Sequence, residues 1–215
     1  MQPTNGNSTR ITRKRFAFSI VASVLISLVL ALASAAVANA DTPDPRNCIA
    51  EPELLGSPGG GFLYSVTLRN AANQAIAGGT VVLDFTSAPG IVICSDQDTD
   101  MDGRLLGTTN GAGVCTFYVK AGGNSTGYVI VGTAIEAITQ AAPRTPDFDG
   151  DLDVDSVDRA ALAALLGTSG PAGDFDLNGI VNGADQTIFE SRFGHTCSLT
   201  PVQAETWGAV KAMYR

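Results

Sequence analysis

The chain has 215 residues, 45% of them hydrophobic, and 13 basic against 21 acidic residues give a net charge of −8. That length allows one or two domains, and that apolar share is ample for a core. Four basic residues (Arg10, Arg13, Lys14, Arg15) stand before position 40 with no acid among them, so the rest of the chain carries −12; this excludes nucleic acid and anionic membrane surface as expected partners.

Residues 1–15 are polar and end in TRKR, and residues 16–37 are almost wholly apolar. Ala38, Asn39 and Ala40 then supply the small residues that a signal peptidase reads. The expectation is a signal peptide over 1–40, cleaved after Ala40, and a secreted or cell-surface protein. The alternative is an uncleaved anchor, since the apolar run is long enough to span a bilayer. Residues 41–60 are rich in proline and glycine and read as a lead-in, with a hinge at Gly59, Gly60 and Gly61.

From Gly61 the pattern changes to period two. Strands are expected at 62–68, 80–85, 91–94, 105–109, 114–120 and 128–135, with a turn and a short strand inside 70–79. Thr109, Asn110 and Gly111 before Val114 read as a hairpin turn. Short strands at about ten-residue spacing argue for an antiparallel β-sandwich over 61–143. The acidic loop from Asp96 to Asp102 alternates carboxylates as a third cation loop would; an exposed, solubilising loop is the favoured reading, because no helix follows it. Cys48, Cys94, Cys115 and Cys197 are an even set in an exported chain, so disulfides are expected, with three pairings open. Cys94 with Cys115, on adjacent strand candidates, is preferred, leaving Cys48 with Cys197.

Two acidic runs follow, DFDGDLDVDSVD and DFDLNGIVNGAD, repeating with a period of 27. Side-chain oxygens fall at loop positions 1, 3, 5, 9 and 12: Asp147, Asp149, Asp151, Asp155 and Asp158, then Asp174, Asp176, Asn178, Asn182 and Asp185. Position 7 lends a backbone carbonyl, from Asp153 and Ile180. A hard cation such as calcium takes six to eight oxygens, and a twelve-residue loop with this spacing wraps one ion. Chance matches at all five offsets arise on the order of 10⁻⁵ per start position. Two calcium ions are therefore expected, against the plainer reading of a solvated acidic linker. The first loop is expected to be the weaker, because Leu152 stands at position 6 where the second has Gly179, and a left-handed turn strains a branched residue by roughly 1–2 kcal/mol. Val154 and Val181, at position 8 of each loop, are expected to pair the loops through a short β-bridge. A helix is expected after each loop, over 159–166 (RAALAALL) and 186–193 (QTIFESRF), each stopped by glycine.

Each loop is followed but not preceded by a helix, and in this residues 146–194 resemble a type I dockerin domain. The resemblance implies a calcium-stabilised pair of loop–helix units that docks onto a cohesin module. It also implies that loop positions 10 and 11 help choose the partner: Ser156 and Val157, Gly183 and Ala184. Residues 75–117 (AIAGGTVVLDF … GTTNGAGVCTF) resemble bacterial immunoglobulin-like domains of the invasin type, with Asn110 where that pattern has Asp and Cys115 where it has Ala. This implies a spacer or display module.

The expected fold is mainly β with a small α module: an antiparallel immunoglobulin-like β-sandwich, a dockerin-like pair of units, and a tail over 195–215 with a short helix around Trp207. No catalytic residue is expected. His195 is the only histidine, and the β region offers only Asp84, Glu136 and the acidic loop. The expected function is a secreted, non-catalytic calcium-binding protein attached through its module to a cohesin-like partner or to its own β-domain. Two other readings stand beside it: an accessory component of polysaccharide degradation, and a surface adhesion or structural protein with a cell-envelope partner.

Overall fold

Alternation of apolar and polar residues builds the β region. The structure, a computed structural model, describes residues 42–98 and 102–197. The expected signal segment 1–40, Thr99 to Met101 of the acidic loop, and the tail beyond Cys197 lie outside the described residues. Ten strands run in order: β1 (Ile49–Ala50), β2 (Glu53–Leu55), β3 (Leu63–Thr67), β4 (Thr80–Asp84), β5 (Val92–Ile93), β6 (Arg104–Thr108), β7 (Val114–Tyr118), β8 (Ala121–Gly122), β9 (Val129–Gly132) and β10 (Ala137–Arg144). They form a three-stranded sheet β1-β3-β7, a five-stranded sheet β2-β10-β9-β4-β6 and a small pair β5-β8. Tyr64 and Val66 of β3, Val81 and Leu83 of β4, Phe117 of β7, and Val129 and Val131 of β9 alternate inward into one shared core. Each such side chain contributes about 1.5–3 kcal/mol on full burial. Among the described residues the fold is mainly β with two helices, and no helix is long and apolar enough to cross a membrane.

Several details differ from the reading of the sequence. The lead-in contributes β1 and β2, which pair with β3 and β10. The turn at Asn110 is not a hairpin: β6 pairs with β4 and β7 with β3, so the turn carries the chain from one sheet to the other. Asn110 still makes the turn, its side-chain oxygen accepting from Ala112 and Val114 N–H. The disulfide is Cys94–Cys197, and Cys48 and Cys115 are free thiols. Cys115 cannot reach Cys94, because β5 pairs with β8 rather than β7, and Cys115 points into the core against Gly107. Cys48 lies instead against the Arg69 backbone.

The helices are α1 (Ser156–Leu165) and α2 (Gly183–Glu190). Both begin three residues earlier than expected. Position 9 of each loop, Asp155 or Asn182, is the N-cap, and position 12, Asp158 or Asp185, closes a capping box by accepting from the cap's own N–H. Leu162 and Phe189, one repeat apart, meet Val154, Val181 and Phe175 in a second core, with Leu55 of β2 packed against it. Arg159 latches the pair: its guanidinium lies 3.8 Å over the Phe193 ring and donates to Glu190 at 2.6 and 2.9 Å.

Val154 and Val181 do not bridge to each other. Val154 exchanges backbone bonds with Gly194 and His195, and Val181 with Gly167 and Thr168. Each loop thus pairs with the segment leaving the other unit's helix, in the same pattern shifted by one repeat. The helical pair also packs on the β region, and the described residues from Pro43 onward belong to one compact unit.

Candidate metal site

Each loop is organised by its first and last carboxylates. In loop one, Asp147 accepts Gly150 N–H at 2.7 Å and Leu152 N–H at 2.9 Å. Asp158 accepts Phe148 N–H at 2.6 Å and Asp155 N–H at 2.9 Å. Loop two repeats this: Asp174 accepts from Asn178 and Gly179, and Asp185 from Phe175, Asp176 and Asn182. These four carboxylates are buried, whereas Asp149, Asp151 and Asp176 reach the surface. Three carboxylate clusters result among the described residues: Asp147, Asp149 and Asp151; Asp153, Asp155 and Asp158; and Asp174, Asp176 and Asp185. Within each, one oxygen per residue lies within 4.8 Å of the others, close enough for one ion to bridge.

The backbone conformation removes the reason for ranking loop one as weaker. Leu152 does take a positive φ of 72°, but so does Leu177 of loop two at 61°. Gly150 and Gly179 are the partner positions, at 78° and 90°. Each loop therefore turns left-handed at positions 4 and 6, once on a glycine and once on a leucine, and strain is matched. Charge is not matched. Loop one holds six carboxylates and loop two three, and Arg144 lies 3.4 Å from Asp174.

The electrostatics of loop one are those of crowded carboxylates. Burial pushes the Asp147 carboxyl up to about 6, with the Asp158 and Asp151 charges adding to it and the Gly150 and Leu152 amides opposing. Asp158 is raised by burial, and Asp153 by burial followed by the charges of Asp151, Asp155, Asp158 and Asp149. Oδ1 of Asp153 is buried without a hydrogen-bond partner. Clustered carboxylates that repel, with a buried oxygen left over and a donor set made only of oxygens, fit a hard divalent ion. Asp153 was expected to lend its carbonyl; its side chain joins the Asp155 and Asp158 cluster as well.

The acidic loop near Asp96 is built differently from its expected form. Asp98 is buried, and its carboxylate accepts Asp102 and Gly103 N–H, while Asp96 pairs with Lys120 at 2.6 Å. Protein donors hold the Asp98 carboxylate and one oxygen of Asp96, while Oδ1 of Asp96, like that of Asp153, is buried without a hydrogen-bond partner. Ser156, Val157, Gly183 and Ala184 are exposed at the starts of α1 and α2. His195 meets the β region: its Nδ1 is 3.2 Å from the Ser57 hydroxyl, and burial and Arg192 hold its pKa below the usual value.

The sequence did not show what braces the loops. Asp147 C=O accepts Gly123 N–H at 2.8 Å, and Phe148 C=O accepts the Asn124 side chain at 2.8 Å. Any side chain on Gly122 would run into the Asp147 carboxylate. Arg144, at the end of β10, bonds Glu53 and the Asp174 carbonyl at 3.0 Å each. On the far side, Arg192 donates to Gly61 C=O and lies over Phe62. Only the glycine pair before Asn124 was a visible signal, and nothing in it names a partner 25 residues away. In comparisons with protein-family models, curated proteins and solved structures, nothing matches this chain.

Proposed function

We propose that residues 146–194 are a dockerin-like calcium-binding module on an exported, non-catalytic attachment protein, and that the β region is an immunoglobulin-like sandwich that displays it. The observation that supports this most is what repeats at both acidic runs, two buried carboxylates on backbone N–H groups and a capping box shared with the helix, with carboxylates gathered within 4.8 Å at positions 1, 3 and 5 and at 7, 9 and 12 of the first loop and at 1, 3 and 12 of the second. Calcium would neutralise this charge through Asp147, Asp149, Asp151, Asp153, Asp155 and Asp158 in the first loop. In the second it would use Asp174, Asp176, Asn178, Ile180, Asn182 and Asp185.

One side of the module is occupied by its own β-domain, through Cys94–Cys197, Arg144 and Arg192. The exposed helix starts are therefore the face left for a second, cohesin-like protein. The polysaccharide-degrading alternative has less support. Asp84 and Glu136 do line one groove. However, although burial raises Asp84, Thr86 and Arg104 outweigh it and hold the carboxyl below its usual value, so Asp84 is no proton donor at neutral pH.

Native mass spectrometry of the exported chain tests the calcium reading. Two ions are expected, lost to chelator, and Asp149→Ala and Asp176→Ala should each retain one. Two ions retained by both variants, or none in the parent, would overturn it.

A further inference from the structure

The five-stranded sheet ends at β6, and that edge carries an unused hydrogen-bonding ladder. Phe85 N–H donates to Gly103 C=O at 2.8 Å, and Thr109 N–H to Gly79 C=O at 2.9 Å. With Leu83 opposite Leu105 and Val81 opposite Gly107, the odd positions of β6 bond to β4. The backbone groups of Arg104, Leu106 and Thr108 therefore face the open side. Arg104 N–H is taken by the Asp102 carboxylate at 3.0 Å. Among the described residues nothing bonds to the outward N–H and C=O groups of Leu106 and Thr108. Edge strands are commonly guarded by proline, lysine or a bulge. β6 has no proline, lysine or bulge; its one charged side chain, Arg104, is tied to Asp84 on the neighbouring strand, and its central Leu106 is 70% exposed.

A groove of about 440 Å³ runs inward from β6 on the outer face of the sheet, across β4 to β9 and the turn that follows it. Val82, Leu106 and Ile130 line it, and Ile135, 81% exposed, stands at its rim. Its charged residues are Asp84, Asp102 and Glu136 against Arg104, which is already bound to Asp84 at 2.9 Å. The groove is thus acidic and apolar together. A second copy of this chain would bring the same acidic rim and a net charge of −8, which opposes pairing edge to edge.

We propose that β6 and its groove dock an extended basic peptide segment by strand addition. The segment's backbone pairs with Leu106 and Thr108, its alternate apolar side chains cover Leu106, and its cationic side chains are drawn to the acidic rim.

The test uses the full chain and a seven-residue peptide alternating valine with threonine and lysine, blocked at both ends. Saturating peptide should slow amide exchange at Leu106 and Thr108 at least tenfold. The same peptide N-methylated on its pairing amides should give no protection. Glu136→Lys, at an exposed position, should weaken the lysine peptide several-fold and strengthen a version with glutamate for lysine. Unchanged exchange at millimolar peptide would overturn the proposal. So would protection of these two amides that rises with protein concentration alone, which would assign the edge to a second copy.

Discussion

Replacing Asp185 separates what the loop carboxylates do for the fold from what they do for an ion. Asp185 is fully buried and accepts three backbone N–H groups: Phe175 at 2.7 Å, Asp176 at 3.1 Å and Asn182 at 2.8 Å. In Asp185→Ala the amide of buried Phe175 loses its partner, which costs about 1–3 kcal/mol. The Asn182 bond closes the capping box of α2, and losing a cap contact costs about 0.5–2 kcal/mol. Water can replace the carboxylate at the more exposed Asp176 amide. The variant should therefore be about 2–5 kcal/mol less stable in EDTA. Asp176, by contrast, is exposed and accepts only from Asn178. Asp176→Ala should stay within about 1 kcal/mol of the parent in EDTA. In excess calcium both variants should bind one ion fewer. Urea unfolding followed by circular dichroism, with calorimetric ion counting, measures both effects. Equal loss of stability in EDTA, or two ions still bound by Asp185→Ala, would refute the division of roles.

Under denaturing, non-reducing conditions, thiol titration should find two free cysteines, Cys48 and Cys115; none or four would contradict the Cys94–Cys197 bond. That bond spans 103 residues, so Cys94→Ser with Cys197→Ser should lower stability by roughly 3–5 kcal/mol in urea unfolding. In the metal-free chain, with Asp147 raised to about 6 when folded, that group's contribution to stability is complete below about pH 4 and is lost as pH rises through about 6. Calcium uptake near pH 5.5 should accordingly release protons, and a titration showing none would contradict the burial of Asp147. With strain matched and charge greater in loop one, Asp149→Ala should abolish the tighter phase of a calcium titration, and Asp176→Ala the weaker; the reverse would refute the ranking by charge.

Much of the β region was legible because its strands alternate cleanly, as Thr80 to Asp84 does with Val81 and Leu83 inward. β10 was not, since AITQAAPR has no such alternation and contains Pro143. That proline is tolerated because β9 pairs only as far as Ala141, and β2 takes over at Ala142. The recurrence of buried and clustered carboxylates in both loops was legible, but the helix starts were not, because Asp155 and Asn182 serve as caps as well as candidate ligands. The disulfide partner of Cys94 depended on topology: only the return of the chain past Leu152, whose carbonyl accepts Cys197 N–H, brings Cys197 to β5. Leu177 carried no signal of its left-handed turn, so strain appeared to distinguish loops that it does not. The packing of the module on its own β-domain rests on Arg144, Arg192 and the Gly123–Asn124 turn, contacts that no local pattern encodes.

The most direct measurement is amide hydrogen exchange of the chain in calcium and in EDTA. Calcium should slow exchange sharply at the loop amides that Asp147, Asp158, Asp174 and Asp185 accept, and leave the β core at Val81, Leu83 and Val131 unchanged. Identical protection of both loops in calcium and EDTA, with no metal taken up at millimolar supply, would contradict it.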